Sequence, residues 1–256
     1  MQLTKSALLV GILQLALATG AYAQSSLDDI KSAGVLKIGT EGTYAPFTYH
    51  DASGKLVGFD VEIGEAIAKK IGVQAEFVEG KWDGLIAGID AKRYDVVINQ
   101  VSVSPERQAK YDFSTPYITS KAVVLVKSDS AIASFADLKG KKAAQSLTSN
   151  FGKLAQAAGA ELVATDGFNQ SVELVLSGRA DATINDSISF LDFKKHKPDA
   201  QLKIAATQDN ADHAAVLLAK GQPELLAAIN EALASSQQDG TYLQISNKYF
   251  GADVSK

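Results

Sequence analysis

The chain has 256 residues, a formal net charge of −4 at pH 7, 46% hydrophobic residues and no cysteine. So mild and evenly mixed a charge argues against nucleic acid or an anionic membrane as partner. The missing thiols exclude disulfides, zinc–thiolate sites and cysteine nucleophiles, and the length suits one large domain or two small lobes.

Met1 to Ala23 read as a secretion signal, with Lys5 as the basic start, Ala7 to Leu17 as a short apolar core and Ala21-Tyr22-Ala23 as a small-x-small cleavage site. Cleavage is expected after Ala23. No cysteine follows to carry a lipid anchor, so the periplasm is the expected location. A short helix is expected over Ser25 to Ala33, ended by Gly34, then a strand over Val35 to Gly39. The strand runs into Thr40-Glu41-Gly42-Thr43-Tyr44-Ala45-Pro46-Phe47, a loop carrying two aromatics and a carboxylate, with a turn over His50 to Lys55.

Gly58 to Ile71 is an amphipathic helix: Phe59, Ile63, Ile67 and Ile71 form one stripe, and Asp60, Glu62, Glu65, Lys69 and Lys70 read as its solvated face. A strand over Ala75 to Val78 and a helix over Trp82 to Ala91 follow. With Val96 to Ile98 as the third strand, the β-α-β-α-β order predicts a parallel sheet.

That third strand breaks into small polar residues, Asn99, Gln100, Ser102 and Ser104. Ser104-Pro105-Glu106 reads as a helix start with an N-cap and a first-position proline, which puts Arg107 in the first turn beyond the carboxyl end of a strand. Open α/β sheets bind ligands there, and backbone N–H groups beside a guanidinium suit a carboxylate. On these residues alone, a surface pairing of Arg107 with Glu106 or Asp112 stays open.

After Tyr117 a second α/β series begins. Strands are expected over Ala122 to Val126, Lys142 to Gln145, Leu162 to Ala164, Ala182 to Ile184, Leu202 to Ala205 and Ala214 to Leu218. Helices are expected over Ser134 to Leu138, Phe151 to Ala158, Gln170 to Ser177, Ser187 to Lys194, Glu224 to Ser236 and Tyr242 to Tyr249. Two such series predict two lobes around a cleft, residues 24–118 with 213–256 and residues 119–212, joined by two hinge crossings at Pro116–Lys121 and Asn210–Ala215. An enzyme on this scaffold has little support: His50, His196 and His213 show no metal-ligand spacing, and there is no G-x-S-x-G elbow.

GFDVEI (58–63) with Ile67-Ala68 resembles the signature of the extracellular solute-binding proteins of polar amino-acid ABC transporters. The resemblance runs on through SPERQAKYDFSTPY, SGRADATIND and DGTYLQISNKYFGADVSK. EGTYAPF, KWDG, VVINQV and AAQSLTSN are most similar to the cystine-binding members. The resemblance implies a type II "Venus flytrap" fold, no cofactor or metal, a monomer, and delivery of an L-amino acid to a membrane permease. Cystine is the expected ligand, with cysteine, glutamine or histidine as alternatives. It also implies roles. Arg107 forks onto the ligand α-carboxylate, with Ser102 and Gln100 assisting, and Thr148 and Ser149 close on it from the second lobe. Asp186 receives the α-ammonium, although its place before Ser187 also suits an N-cap. Tyr44 and Trp82 sandwich the side chain, and Glu41 is a candidate for a second ammonium. Leu147-Thr148-Ser149-Asn150 stands where many amino-acid binders have a glycine-threonine pair, and Gln145 and Asn150 are further candidates for the distal half of the ligand.

Overall fold

The computed structural model describes residues 27–255. The expected signal peptide and the first residues of the expected opening helix lie outside them; the helix is seen over Leu27–Ala33. Two five-stranded sheets organise the rest. The first runs Gln74–Glu79, Val35–Thr40, Val96–Val97, Leu217–Ala219 and Tyr111–Phe113. Its first three strands are parallel, but Leu217–Ala219 is antiparallel to both neighbours. The parallel arrangement expected of the first three strands is therefore present, and the sheet as a whole is mixed because a strand from the far end of the chain inserts beside Val96–Val97. The second sheet runs Glu161–Ala164, Lys142–Gln145, Ala182–Asp186, Ala122–Lys127 and Leu202–Thr207, again with one antiparallel insertion, Ala122–Lys127.

The chain crosses between the sheets twice. Ile118–Ser120 and Asp212–Ala214 pair antiparallel in a two-stranded ribbon, a geometry suited to a hinge. The single strand expected over Ala214 to Leu218 is thus divided, one part in the crossing and the other in the first sheet. Three short strands, Thr43–Tyr44, Thr48–His50 and Leu56–Val57, form a ribbon where the sequence suggests only loop and turn; they are too short to show alternation.

Helix Phe59–Ile71 lies under the first sheet with Pro223–Gln238 and Thr241–Phe250 packed beside it. Phe59, Ile63 and Ile67 enter the core with Leu36 and Ile38. The expected solvated face needs one correction: Asp60 is fully buried. It sits one residue after Phe59, so Asp60, Ile63, Gly64 and Ile67 form a second inward row at helical spacing. The helix expected over Trp82 to Ala91 is two short ones, Trp82–Leu85 and Ala87–Asp90. Tyr94 Oη donates to the Leu85 carbonyl, so the Ile89 N–H turns to Ile86 O (3.1 Å) instead.

Gly58 sets how closely the first helix approaches the ribbon. Its φ is 137°, and a Cβ there would lie 2.1 Å from the Phe47 carbonyl oxygen. Gly58→Ala is expected to cost about 2 kcal/mol or more, through the forbidden backbone angle and the clash together. The urea unfolding midpoint reads this, and an unchanged midpoint contradicts it.

Candidate functional site

The carboxyl ends of the parallel strands of both sheets face one cleft, which holds a cavity of about 50 Å³. The first lobe contributes Glu41, Tyr44, Trp82, Asn99 and Gln100, and the second Gln145, Ser146, Ser149, Asn150, Phe151, Gly167, Phe168, Ser171 and Asn185. Seven of the residues expected from sequence therefore share one wall surface: Glu41, Tyr44, Trp82, Gln100, Gln145, Ser149 and Asn150.

Glu41 is held by Asn99. The Asn99 amide donates to Glu41 Oε2 (2.6 Å), while Asn99 Oδ1 accepts from Glu41 N (2.8 Å) and Thr40 Oγ1 (3.1 Å). Burial pushes the Glu41 carboxyl up to about 7 against the Asn99 hydrogen bond, and the nearby Asp83 carboxylate adds to the rise. Trp82 is 9% exposed, and its Nε1–H has no hydrogen-bond partner, an unmet donor in the cavity wall. Tyr44 crosses the cleft, its hydroxyl donating to Asn185 Oδ1 (2.9 Å), and its ring meets Phe168 edge-on with centroids 6.5 Å apart.

Ser102, Arg107, Thr148 and Asp186 stand outside this wall. Ser104 caps the short helix Pro105–Gln108, its Oγ accepting from Arg107 N (3.3 Å). The Arg107 guanidinium lies 5.4 Å from the Trp82 ring centroid and donates from Nη1 to the Ser102 carbonyl (2.9 Å). Among the described residues no carboxylate lies within ion-pair distance of it, so donors of the guanidinium remain for an anion. Asp186 caps the helix Ser187–His196 through Ile188 N (2.8 Å) and also accepts from Ser120 Oγ in the hinge ribbon. Burial pushes its carboxyl up to about 6. Its neighbour Asn185 faces the cavity.

Thr148 is exposed and reaches the other lobe. Thr148 N and Oγ1 donate to Asp83 Oδ1 (3.0 and 2.8 Å), and Leu147 N to Asp83 Oδ2 (3.4 Å). Lys81–Asp166 (2.7 Å) and Lys153–Glu106 also join the lobes. The cleft is closed. Sequence reasoning missed Asp83, Asn99, Phe168 and Asn185. The last two had signals, since Phe168 follows a glycine at a helix start and Asn185 is the penultimate residue of a strand.

The family model of the bacterial extracellular solute-binding proteins, family 3, matches residues 36–252. The chain belongs to this family. A probable amino-acid ABC transporter-binding protein of Haemophilus influenzae is 48% identical, over 98% of this chain and 97% of its own. The L-cystine-binding protein TcyA of Bacillus subtilis is 46% identical, over 89% and 85%. The structure of the L-cystine solute receptor of Neisseria gonorrhoeae in the unliganded open conformation is 48% identical, covers 90% of this chain and 99% of its own, and has a TM-score of 0.60. An ancestral arginine-binding protein bound to arginine is only 38% identical, over 85% and 99%, yet has a TM-score of 0.80. The more similar sequence superposing less well points to a different angle between the same two lobes.

In this family-3 protein Asp83 joins the lobes at the cavity mouth, beside Trp82. Asp83→Ala removes three acceptor contacts that exist only when the cleft is closed. Because these contacts are exposed, the expected cost is about tenfold or less in affinity, appearing as faster ligand release in stopped flow. Unchanged release contradicts the assignment.

Proposed function

We propose that this chain is the solute-binding component of an amino-acid ABC transporter, exported to the periplasm with cleavage after Ala23, and that L-cystine is its ligand. The observation that carries the reading is the pair of buried carboxyls, Glu41 and Asp186, neither with an ion-pair partner among the described residues. A buried acid is relieved best by a cation. An amino acid with a neutral side chain brings one ammonium; cystine brings two, each with a carboxylate. Relatives named for cystine at 46–48% identity support the same choice.

In this reading Arg107 and Asp186 hold the carboxylate and ammonium of the proximal half, with Ser102, Gln100 and Ser149 supplying further polar groups, while Thr148 holds the lobes together through Asp83. Tyr44 and Trp82 enclose the disulfide. Glu41 takes the distal ammonium, and Trp82 Nε1–H with Asn150 serves the distal carboxylate. Arginine would satisfy Glu41 but leave those distal donors without an anion, which separates the two ligands. The closed cleft excludes water, and this strengthens each charge-assisted bond.

A thermal-shift screen of ligand-stripped mature protein against the L-amino acids tests this. L-Cystine at about a hundred times its dissociation constant is expected to stabilise by about 2.7 kcal/mol, and Arg107→Ala to lose that shift. A larger shift with arginine or glutamine rejects the ligand, and no shift with any amino acid rejects the receptor.

The pH dependence follows from Glu41. Without ligand, a carboxyl raised from 4.5 to about 7 contributes stability below its ordinary value, and loses it as pH rises through about 7. Ligand acts in the opposite sense, because the ammonium needs the ionised form. Affinity for L-cystine is therefore expected to fall as pH drops from 8 to 6, and Glu41→Gln to bind weakly with a flatter profile over that range. Calorimetric titrations read both; an affinity rising toward pH 6 contradicts the assignment.

A further inference from the structure

Asp60 lies in the interior of the first lobe with no exposure. Its carboxylate accepts three hydrogen bonds, from Gln100 N (2.7 Å) and Tyr117 Oη (3.1 Å) to Oδ2 and from Gln100 Nε2 (3.1 Å) to Oδ1. No lysine, arginine or histidine among the described residues pairs with it. A carboxylate buried without a counter-ion is costly, so a residue that only fills space there would be better apolar. Two of its three donors belong to Gln100. That residue has φ 51°, a left-handed conformation that few non-glycine residues adopt, and it faces the cavity. On one side of it Asn99 clamps Glu41; on the other the Ser102 carbonyl takes the Arg107 guanidinium. The third donor, Tyr117, directly precedes the hinge strand Ile118–Ser120.

We propose that Asp60 is a positioning residue for ligand binding: it locks Gln100 in its left-handed conformation and thereby fixes the strand-end loop 99–102 that presents Glu41 and Arg107 to the cleft. Asp60 itself is outside the cavity wall. The inference rests on the reading of the cleft as an amino-acid site, and it adds a residue to that site from the buried side of a helix.

The test is a double-mutant cycle read by L-cystine affinity. Asp60→Asn keeps the shape but turns an amide NH₂ toward Gln100 donors, and should weaken binding by about tenfold or more. In a Gln100→Gly background the same change should cost about twofold or less, since glycine adopts φ 51° without penalty. An equal loss in both backgrounds means a general packing role and overturns the proposal. A second readout needs neither ligand nor variant. In the ligand-free wild-type protein the Gln100 amide should exchange as slowly as the central strands, and exchange as fast as an exposed loop overturns the proposal. Wild-type protein that fails to bind L-cystine rejects the ligand reading, while the exchange rate still decides the role of Asp60.

Discussion

Three carboxyl groups, Glu41, Asp60 and Asp186, are buried around one cleft, and among the described residues none of them forms an ion pair. Burial first, with a neighbouring carboxylate adding to it in each case, drives them up to about 7, 7 and 6, against hydrogen bonds that pull each one down. Such a set is tolerated in a fold only where something offsets it. Asp60 is offset internally, by two donors from Gln100 and one from Tyr117. Glu41 has one donor, the Asn99 amide, and Asp186 has two, Ile188 N and Ser120 Oγ. These two are the sites where a cationic group from outside gains most, and they set the chemistry of the proposed ligand.

The fold delivers these groups through its topology. Each lobe turns the carboxyl ends of its parallel strands to the same cleft, so the loops after Thr40, Val97, Gln145, Ala164 and Asp186 converge without any one of them being long. The crossings at Ile118–Ser120 and Asp212–Ala214 are short and paired to each other, which leaves rotation between the lobes as the easy motion. Closure at the mouth uses exposed contacts, Asp83 with Leu147 and Thr148 and the pairs Lys81–Asp166 and Lys153–Glu106. Contacts of that kind are individually weak, which suits a receptor that has to open again for its transporter. The buried Tyr44–Asn185 bond adds geometry inside the cleft.

Much of this was legible in the sequence where local chemistry decides local structure. Ser104-Pro105 marked a helix start, and the Phe59, Ile63, Ile67 stripe marked a helix and its buried side. Long-range insertions were not legible: nothing local in Leu217–Ala219 says that it pairs antiparallel between Val96–Val97 and Tyr111–Phe113. Nor was the burial of Asp60, because a charge beside an apolar stripe reads as solvent-facing until its partners Gln100 and Tyr117, 40 and 57 residues away, are brought to it. The cavity wall divides in the same way. Glu41, Tyr44, Trp82, Gln100, Gln145, Ser149 and Asn150 sit at or beside strand or helix ends and could be named in advance. Asn99 acts on Glu41 across 58 residues, and Asp83 acts on Thr148 across 65.

The cleft is proposed to hold a double zwitterion with its charges on Glu41 and Arg107. A crystal structure of the mature protein with L-cystine tests it most directly. A closed cleft is expected, with one ligand ammonium about 3 Å from the Glu41 carboxylate and one ligand carboxylate on the Arg107 guanidinium. A ligand that leaves Glu41 without a cation, or whose carboxylates both lie away from Arg107, would contradict it.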